Sequence, residues 1–266
     1  MHRWVISTGG LTALCASCSL VTPIPDLTSG APNGDSGTDA DSLPFCAHQA
    51  PAPMFCDDFD QEPSLTPRWD ALLTDGPVSI DHGSFRSKPA SLLSTVSAPG
   101  SCNSATANKL LAGSYRVSHA GIALRVGDAS DLAGGARGVM EQSFTIHQGG
   151  DVTDCNAIFT IDGTRLRVYE QVETSHADGT FNQQGTDHEL SKTLALGVWH
   201  RVVVDYDLAS GRVSATLDGE PALDEPLVYN CPKVAAPAGL KVGLFCVKDA
   251  PHPLAIHIDD VTFDAR

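Results

Sequence analysis

Five polar side chains on the faces of predicted strands opposite their apolar residues are of the types that neutralise a carboxylate and transfer protons. They are Arg125, His147, Arg165, Tyr169 and Gln171. Elimination next to a uronate carboxylate needs positive and amide groups that neutralise it, and a Tyr or His that moves protons. If their strands are neighbours, these residues form one polar stripe suited to that chemistry. A solvated outer face produces the same alternation, and we favour it for each residue taken alone.

An overlapping set of side chains is suited to binding a sugar rather than to reacting with it. The predicted ligand-binding residues are Glu141, Arg167, Tyr169 and Gln171. Carbohydrate sites use a few polar groups to fix orientation and exposed aromatic rings for stacking. Aromatic residues are scarce, and the best surface candidates are Tyr115, Tyr169 and Tyr229.

Charge and motif content exclude several other functions. Residues 45–266 carry 28 acidic and 16 basic side chains, whereas a nucleic-acid surface needs clustered Lys and Arg. No glycine-rich loop leads from a strand into a helix, so neither nucleic acid nor a nucleotide is an expected partner. No G-x-S-x-G turn marks a nucleophilic serine. The acidic excess suits cations and neutral ligands, although solubility explains it equally well.

The N-terminus predicts export. Residues 1–3 are short and basic, and the apolar stretch 4–16 is shorter than the roughly 20 residues that span a bilayer. Residues 14–19, LCASCS, resemble the lipobox of bacterial lipoproteins, which implies a signal peptide over residues 1–17 and lipidation of Cys18. The serine after Cys18 resembles proteins sorted to an outer membrane, so we expect a location in the outer membrane or on the cell surface. An ordinary cleaved signal is the alternative.

Composition divides the rest of the chain into a tether and one domain. Pro, Gly, Ser, Thr and Asp dominate residues 18–44, which lack apolar periodicity and are predicted to be a flexible spacer. Residues 45–266 are enough for one large domain.

Six cysteines lie in the predicted domain, and an even number in an exported chain indicates disulfides. They are Cys46, Cys56, Cys102, Cys155, Cys231 and Cys246. Spacing leaves the connectivity open. Nearness along the chain favours the pairs Cys46–Cys56 and Cys231–Cys246, and the remaining pair is then Cys102–Cys155. No C-x-x-C or paired-His spacing indicates a zinc site.

Short alternating apolar runs predict an all-β fold. In residues 198–217, Val202, Val204 and Tyr206 share one face, a turn follows at 207–211, and the alternation resumes. The pair at 218–219, Asp-Gly, is a tight-turn signal. The alternation of the last run slips at residues 259–260, which predicts a bulge. About a dozen such strands without helices between them predict an antiparallel β-sandwich or jelly roll.

Several segments carry a family resemblance. Residues 197–207 read GVWHRVVVDYD and are followed by GRV at 211–213 and LDG at 217–219; FCDDF stands at 55–59 and IDDV at 258–261. This pattern resembles the laminin-G-like and concanavalin A-like jelly rolls, which include lectins, adhesion modules, glycosidases and polysaccharide lyases. The resemblance implies a jelly-roll sandwich whose first and last strands lie side by side.

The resemblance also bears on the enzyme classes. Glycosidases of the superfamily carry E-x-D-x-x-E or E-x-D-x-E on one strand, and this chain has neither. Its lyases place Arg, Gln, His and Tyr on one concave sheet, but their R-x-E-x-R and Q-I-H motifs are not matched. Only Ile146-His147 retains the end of the second motif. The five-residue stripe therefore supports a divergent lyase, acting on an anionic polysaccharide, as an alternative.

Two aspartate pairs stand at the ends of the domain, Asp57-Asp58 and Asp259-Asp260. If the first and last strands are neighbours, as the resemblance implies, the pairs converge. Carboxylate oxygens suit calcium, so we expect a structural calcium site there. Two acidic bulges facing water are the alternative, and we favour it slightly.

Taken together, the sequence predicts an exported jelly roll that binds carbohydrate or a surface partner without catalysis. The alternatives are the divergent polysaccharide lyase and a structural envelope lipoprotein without a soluble ligand.

Overall fold

The computed structural model describes residues 44–60, 64–96, 102–127, 136–247 and 253–266. The predicted signal peptide, Cys18 and residues 18–43 of the tether lie outside these ranges. One 3-10 turn, Phe45–His48, precedes the strands. The strands are β1 (Phe55–Asp57), β2 (Ala71–Thr74), β3 (Val78–Asp81), β4 (Ser91–Val96), β5 (Asn103–Tyr115), β6 (Val117–Val126), β7 (Arg137–Gln148), β8 (Asp151–Asp162), β9 (Arg165–Ser175), β10 (Phe181–Thr193), β11 (Trp199–Asp207), β12 (Arg212–Leu217), β13 (Glu220–Pro226), β14 (Ala236–Val247) and β15 (Leu254–Ala265).

These strands form two antiparallel sheets. Sheet I has the order β13-β12-β11-β6-β15-β4-β3, with β1 also paired to β15. Sheet II has the order β10-β9-β8-β7-β14-β5-β2. The predicted all-β sandwich of jelly-roll type is thereby confirmed.

The two sheets pack through the apolar faces that the alternation predicts. Val202, Val204 and Tyr206 of β11 are buried, and the Tyr206 ring lies 5.8 Å from that of Phe144 on β7. Gln142 Nε2 also donates to the backbone oxygen of Val204 at 2.9 Å. Each such apolar side chain stabilises the sandwich by about 1.5–3 kcal/mol.

Two local predictions are confirmed. Strands β11 and β12 form the expected hairpin, and Asp218 and Gly219 have φ of 55° and 81°, as a type I′ turn requires. The pairing of β15 with β6 shifts register between Asp259 and Thr262, which is the predicted bulge.

The disulfides correct two of the three predicted pairs. Cys46–Cys56 is confirmed, whereas the other bridges are Cys102–Cys246 and Cys155–Cys231. The proximity argument fails because β5 and β14 are neighbours in sheet II. Their register, Val247 opposite Asn103, brings together cysteines 144 residues apart.

The other corrected bridge, Cys155–Cys231, joins the β13–β14 loop to β8 across 76 residues. Three disulfides indicate an oxidising compartment. None of the described residues belongs to a helix able to cross a bilayer.

The first and last strands lie side by side, as the resemblance implied. Phe55 of β1 stands opposite Phe263 of β15, and Asp57 stands opposite Val261. The N-terminal strand of the described domain thus belongs to sheet I.

Candidate functional site

The outer face of sheet II carries a row of five side chains from five neighbouring strands, all of them polar except Ile158. Lys241, Glu141, Ile158, Tyr169 and Asp187 follow one another across β14, β7, β8, β9 and β10 as cross-strand partners. Most of their chain neighbours are buried in the core, because side chains of a strand alternate between the two faces. The alternation that makes the sandwich therefore also builds this polar row.

A groove of about 620 Å³ crosses this face. Its lining residues include Glu141, Asn156, Tyr169, Gln171, Glu173, Asp187, Lys241 and Phe245. The disulfide Cys102–Cys246 also contributes to the lining.

Amide groups form a hydrogen-bonded chain on the groove floor. Asn156 Nδ2 donates to Gln171 Oε1 at 3.5 Å, and Gln171 Nε2 donates to Glu173 Oε1 at 3.0 Å. Asn156 is buried although it lies on the outer face of β8. These donors and acceptors are held in place before any ligand arrives.

Tyr169 supplies the aromatic surface in the centre of the groove. Its ring lies across Gly185 of β10, where an added β-carbon would fall 2.0 Å from the hydroxyl oxygen. The hydroxyl makes no hydrogen bond to the described residues and is available to a ligand. Burial raises the pKa of this phenol, and the nearby Asp187 adds to the effect.

Phe245 and Lys241 lie together in the groove lining. The Phe245 ring fills the space above Gly138, and Lys241 Nζ lies 5.0 Å from the centre of that ring. Lys241 also pairs with Glu141 at 2.8 Å, so its charge is largely neutralised.

The groove carries an excess of acidic groups. Among the described residues that line it, Glu141, Glu173 and Asp187 are acidic and Lys241 is basic. Burial raises the pKa of Glu173, and the charges of Asp154 and Glu141 raise it further.

Three of the four predicted ligand-binding residues meet in this groove, namely Glu141, Tyr169 and Gln171. The fourth, Arg167, lies one step further along β9. It pairs with Asp162 at 3.1 Å and with Asp187 at 3.3 Å. Its charge is therefore engaged by protein carboxylates.

The predicted five-residue stripe is not one cleft, and this corrects the expectation for three of its members. Arg125 lies on β6 in sheet I, where it donates to Gly197 O at 3.0 Å and to Ser84 Oγ at 2.6 Å. His147 and Arg165 are exposed on sheet II outside the groove lining.

His147 and Arg165 are also far from each other. His147 stands beside Val152 and Arg165 beside Asp162, at opposite ends of β8. At about 3.3 Å per residue these ends are about 33 Å apart. Strand alternation reveals which face of a strand a side chain occupies. It does not reveal which sheet the strand joins, or which end of the sheet the residue lies at.

Sequence patterns did not identify Asn156, Glu173, Asp187, Lys241 and Phe245 as site residues. Alternation marks Lys241 as outward, because Leu240 and Val242 face the core. It does not reveal Phe245, because the β14 register shifts between Val242 and Phe245. Asn156 and Asp187 stand on strands for which no polar face was assigned.

The two aspartate pairs form a separate, buried cluster next to the β1–β15 pairing. Asp57 accepts from Trp69 Nε1 at 2.7 Å and from Arg68 Nη1 at 2.9 Å. Asp259 Oδ2 accepts from the amides of Arg86 and Ser87, at 2.8 and 3.0 Å. These bonds commit Asp57 and Asp259 to the protein itself.

Two oxygens of the cluster are buried without a hydrogen-bond partner, Asp58 Oδ1 and Asp60 Oδ2. Burial raises the pKa of Asp60 to about 6, and the charges of Asp58, Asp260 and Asp57 add to the effect. Burial and the neighbouring Asp260 raise the pKa of Asp259 to about 8. Within the described ranges, no three His, Cys, Asp or Glu side chains are grouped to hold a metal ion.

Comparison with solved structures gives the fold of this chain. An endo-β-1,4-glucuronan lyase from the fungus Trichoderma reesei superposes with a TM-score of 0.61 at 15% identity, covering 80% of this chain and 96% of its own. A glycoside hydrolase family 16 endo-glucanase from Bacteroides ovatus has a TM-score of 0.52 at 14% identity, covering 79% and 99%. The cellulose-induced protein Cip1 also has a TM-score of 0.52 at 14% identity, covering 80% and 97%.

No protein-family model matches the sequence. No curated protein matches it either. The structural likenesses show that the chain has the concanavalin A-like jelly-roll fold, and identities this low show the fold alone.

Proposed function

We propose that this concanavalin A-like domain is a non-catalytic module that binds a carbohydrate chain in the groove of sheet II. The observation that carries the proposal is the groove floor, where the ring of Tyr169 lies beside the amides of Asn156 and Gln171. A sugar ring presents an apolar face that stacks on an aromatic ring, and hydroxyls that bond to amides and carboxylates. The groove offers both kinds of contact.

The charges of the groove favour a neutral chain over a polyuronate. Glu141, Glu173 and Asp187 would repel a uronate carboxylate, and Lys241 is already paired with Glu141. A neutral glucan meets no such repulsion.

Calorimetric titration of the full chain with mixed-linkage β-glucan, cello-oligosaccharides and polyglucuronate tests the proposal. We expect binding to a neutral glucan, weakened about tenfold in Tyr169→Ala because stacking is lost. Arg125→Ala is the control, because this residue lies on the other sheet. Absence of binding to every glycan, or unchanged affinity in Tyr169→Ala, contradicts the proposal and favours a protein-contact or structural role.

A polysaccharide lyase is the second candidate, favoured by the unbonded Tyr169 hydroxyl beside two amides. Like any tyrosine, this phenol is protonated at neutral pH. It would donate a proton to the leaving glycosidic oxygen, while a groove carboxylate such as Glu173 would accept the proton from the carbon next to the uronate carboxyl. Ultraviolet absorbance of an unsaturated product from polyglucuronate, lost in Tyr169→Phe, would replace the binding proposal with this one.

We also propose that the buried aspartate cluster holds a structural calcium ion. Asp58 and Asp60 fit because each has a buried carboxylate oxygen without a partner. Asp57 does not fit, since Trp69 and Arg68 use its oxygens. Calcium takes six to eight oxygen ligands, so backbone carbonyls and waters would complete the set.

For localisation, we propose that Cys18 anchors the chain to a membrane by a lipid. The proposal rests on the lipobox-like residues 14–19 and agrees with the oxidising compartment that three disulfides indicate. Incorporation of labelled palmitate that disappears in Cys18→Ala, but persists in Cys15→Ala, would support it. Equal labelling of wild type and Cys18→Ala would contradict it.

A further inference from the structure

A loop from the other sheet brings a second tyrosine to the edge of the groove. Tyr229 lies between β13 of sheet I and β14 of sheet II, and its hydroxyl donates to the backbone oxygen of Gly185 at 2.9 Å. Gly185 stands opposite Gln171, which lines the groove. Tyr229 therefore reaches the strand that borders the groove floor.

The two tyrosines meet at the same glycine. The ring of Tyr169 occupies the space that a side chain at residue 185 would take, with its Cζ atom 2.3 Å from the site of an added β-carbon. The charge of Tyr229 is also among the causes that raise the pKa of Tyr169. The Tyr169 phenol thus lies over the Gly185 α-carbon, while the Tyr229 hydroxyl donates to the Gly185 carbonyl oxygen.

A buried carboxylate fixes the backbone that carries Tyr229. Glu170 is 1% exposed, and it accepts from the amides of Val228 and Tyr229, both at 2.8 Å. His188 Nε2 lies 3.0 Å from the same carboxylate. Leaving a buried acceptor unsatisfied is costly, so this arrangement strongly favours one placement of the loop.

The Cys155–Cys231 disulfide fastens the loop a second time, two residues beyond Tyr229. Val228, whose amide is bonded to Glu170, is 61% exposed. The loop is therefore held at its base while its outer surface faces solvent.

We infer that Tyr229 determines specificity in the groove, forming with Tyr169 a two-tyrosine subsite for a sugar ring at the β10 edge. Glu170 is the positioning residue that holds Tyr229 there. The inference rests on the proposed carbohydrate function and adds a contact from outside sheet II. A longer glycan reaches this subsite, whereas a short one occupying only the floor does not.

The test measures affinities of the full chain for cello-oligosaccharides of increasing length and for mixed-linkage β-glucan. We expect Tyr229→Ala to weaken binding of long chains about tenfold and to leave the shortest bound chain unaffected. Tyr229→Phe keeps the stacking ring and should bind nearly as the wild type does. Tyr115→Ala is the matched control, since this half-buried tyrosine lies on β5 and its hydroxyl donates to Ala112 O rather than to β10.

The role of Glu170 is tested in combination with Tyr229. Glu170→Gln loses one of the acceptors of the two loop amides, so it should shift the Tyr229 ring resonances in the NMR spectrum and weaken long-chain binding. In the Tyr229→Ala background the same change should have no further effect on binding, because Glu170 acts through Tyr229. Additive losses would overturn the positioning role.

Two outcomes separate the inference from the proposal beneath it. Weaker binding in Tyr169→Ala with unchanged long-chain binding in Tyr229→Ala overturns the inference and leaves the groove in place. Unchanged binding in both variants contradicts the groove and the two-tyrosine subsite together.

Discussion

Lys241 Nζ lies 2.8 Å from Glu141 Oε2, so β14 and β7 are joined by an ion pair on the floor of the groove. Glu173 senses both partners, since Glu141 raises its pKa and Lys241 lowers it. Each partner of the ion pair can be replaced on its own, and the two replacements should shift the pKa of Glu173 in opposite directions.

We predict that Lys241→Met raises the pKa of Glu173 further and that Glu141→Gln lowers it. Carboxyl titration by NMR measures both shifts, and the opposite signs exclude a general effect of mutation. The free energy of unfolding should change by less than about 1 kcal/mol in each variant, because both side chains are partly exposed. Shifts of the same sign would show that the pair does not act on Glu173.

A second prediction concerns the glycine beneath Tyr169. Gly185→Ala places a methyl group where the Tyr169 ring now lies, so the ring must move and glycan affinity should fall about tenfold. Gly113→Ala is a matched control, because its β-carbon would displace Tyr115 in the same way, outside the groove. Equal affinities in the two variants would mean that the position of Tyr169 is unimportant for binding.

A third prediction follows from His188, which lies between Glu170 and Glu225. Burial lowers its pKa, but the hydrogen bonds that the ring donates to Glu225 and Glu170 outweigh burial and raise the pKa above the usual value. A histidine whose pKa is raised on folding adds stability below its unfolded pKa of about 6.5, and that stability is lost as pH rises through the folded value.

Urea unfolding over a pH series therefore should show the free energy of unfolding of the wild type falling across that window. The fall should be shallower in Glu225→Gln, which removes the exposed partner and leaves Glu170 in place. Parallel pH profiles for wild type and Glu225→Gln would contradict this account.

The disulfides provide a fourth prediction. Replacing Cys102 and Cys246 together by Ser should destabilise the domain by about 4 kcal/mol, against about 3 kcal/mol for Cys46 and Cys56, because the stabilisation grows with the length of the closed loop. The intact Cys155–Cys231 bridge shortens the loop that Cys102–Cys246 closes. The sequence separations are 144 and 10 residues. Denaturant unfolding under oxidising conditions gives both values. A larger loss for the shorter loop would point to native contacts of Cys46–Cys56 as the dominant contribution.

The proposed calcium ion leads to the fifth prediction. Calcium at about 100 times its dissociation constant should stabilise the protein by about 2.7 kcal/mol relative to chelator, measured by thermal unfolding. Asp58→Asn should abolish the difference, while Asp75→Asn, an exposed aspartate away from the cluster, should retain it. Identical unfolding in calcium and in chelator would rule the site out.

Much of the fold was predictable, because alternation and turn residues are local signals. The β11–β12 hairpin, the 218–219 turn and the bulge at 259–260 follow from patterns within a few residues. The Cys102–Cys246 bridge does not, since it depends on which strands become neighbours.

The site was predictable only in part for the same reason. Tyr169 and Gln171 were correctly placed on one face because they stand two residues apart. Arg125 shares their alternation but belongs to the other sheet. Glu170 falls on the apolar side of β9, and its partners lie 18, 58 and 59 residues further along the chain, so no local pattern reveals its role.

The pairing of β1 with β15 places the start of the sandwich on sheet I. A chain that enters through β1 is attached to sheet I, whereas the groove opens on the outer face of sheet II. The described segment before β1 also joins the sandwich on sheet I, where the Phe45 ring packs against Arg201 of β11, so it does not obstruct a polymer that lies across the groove.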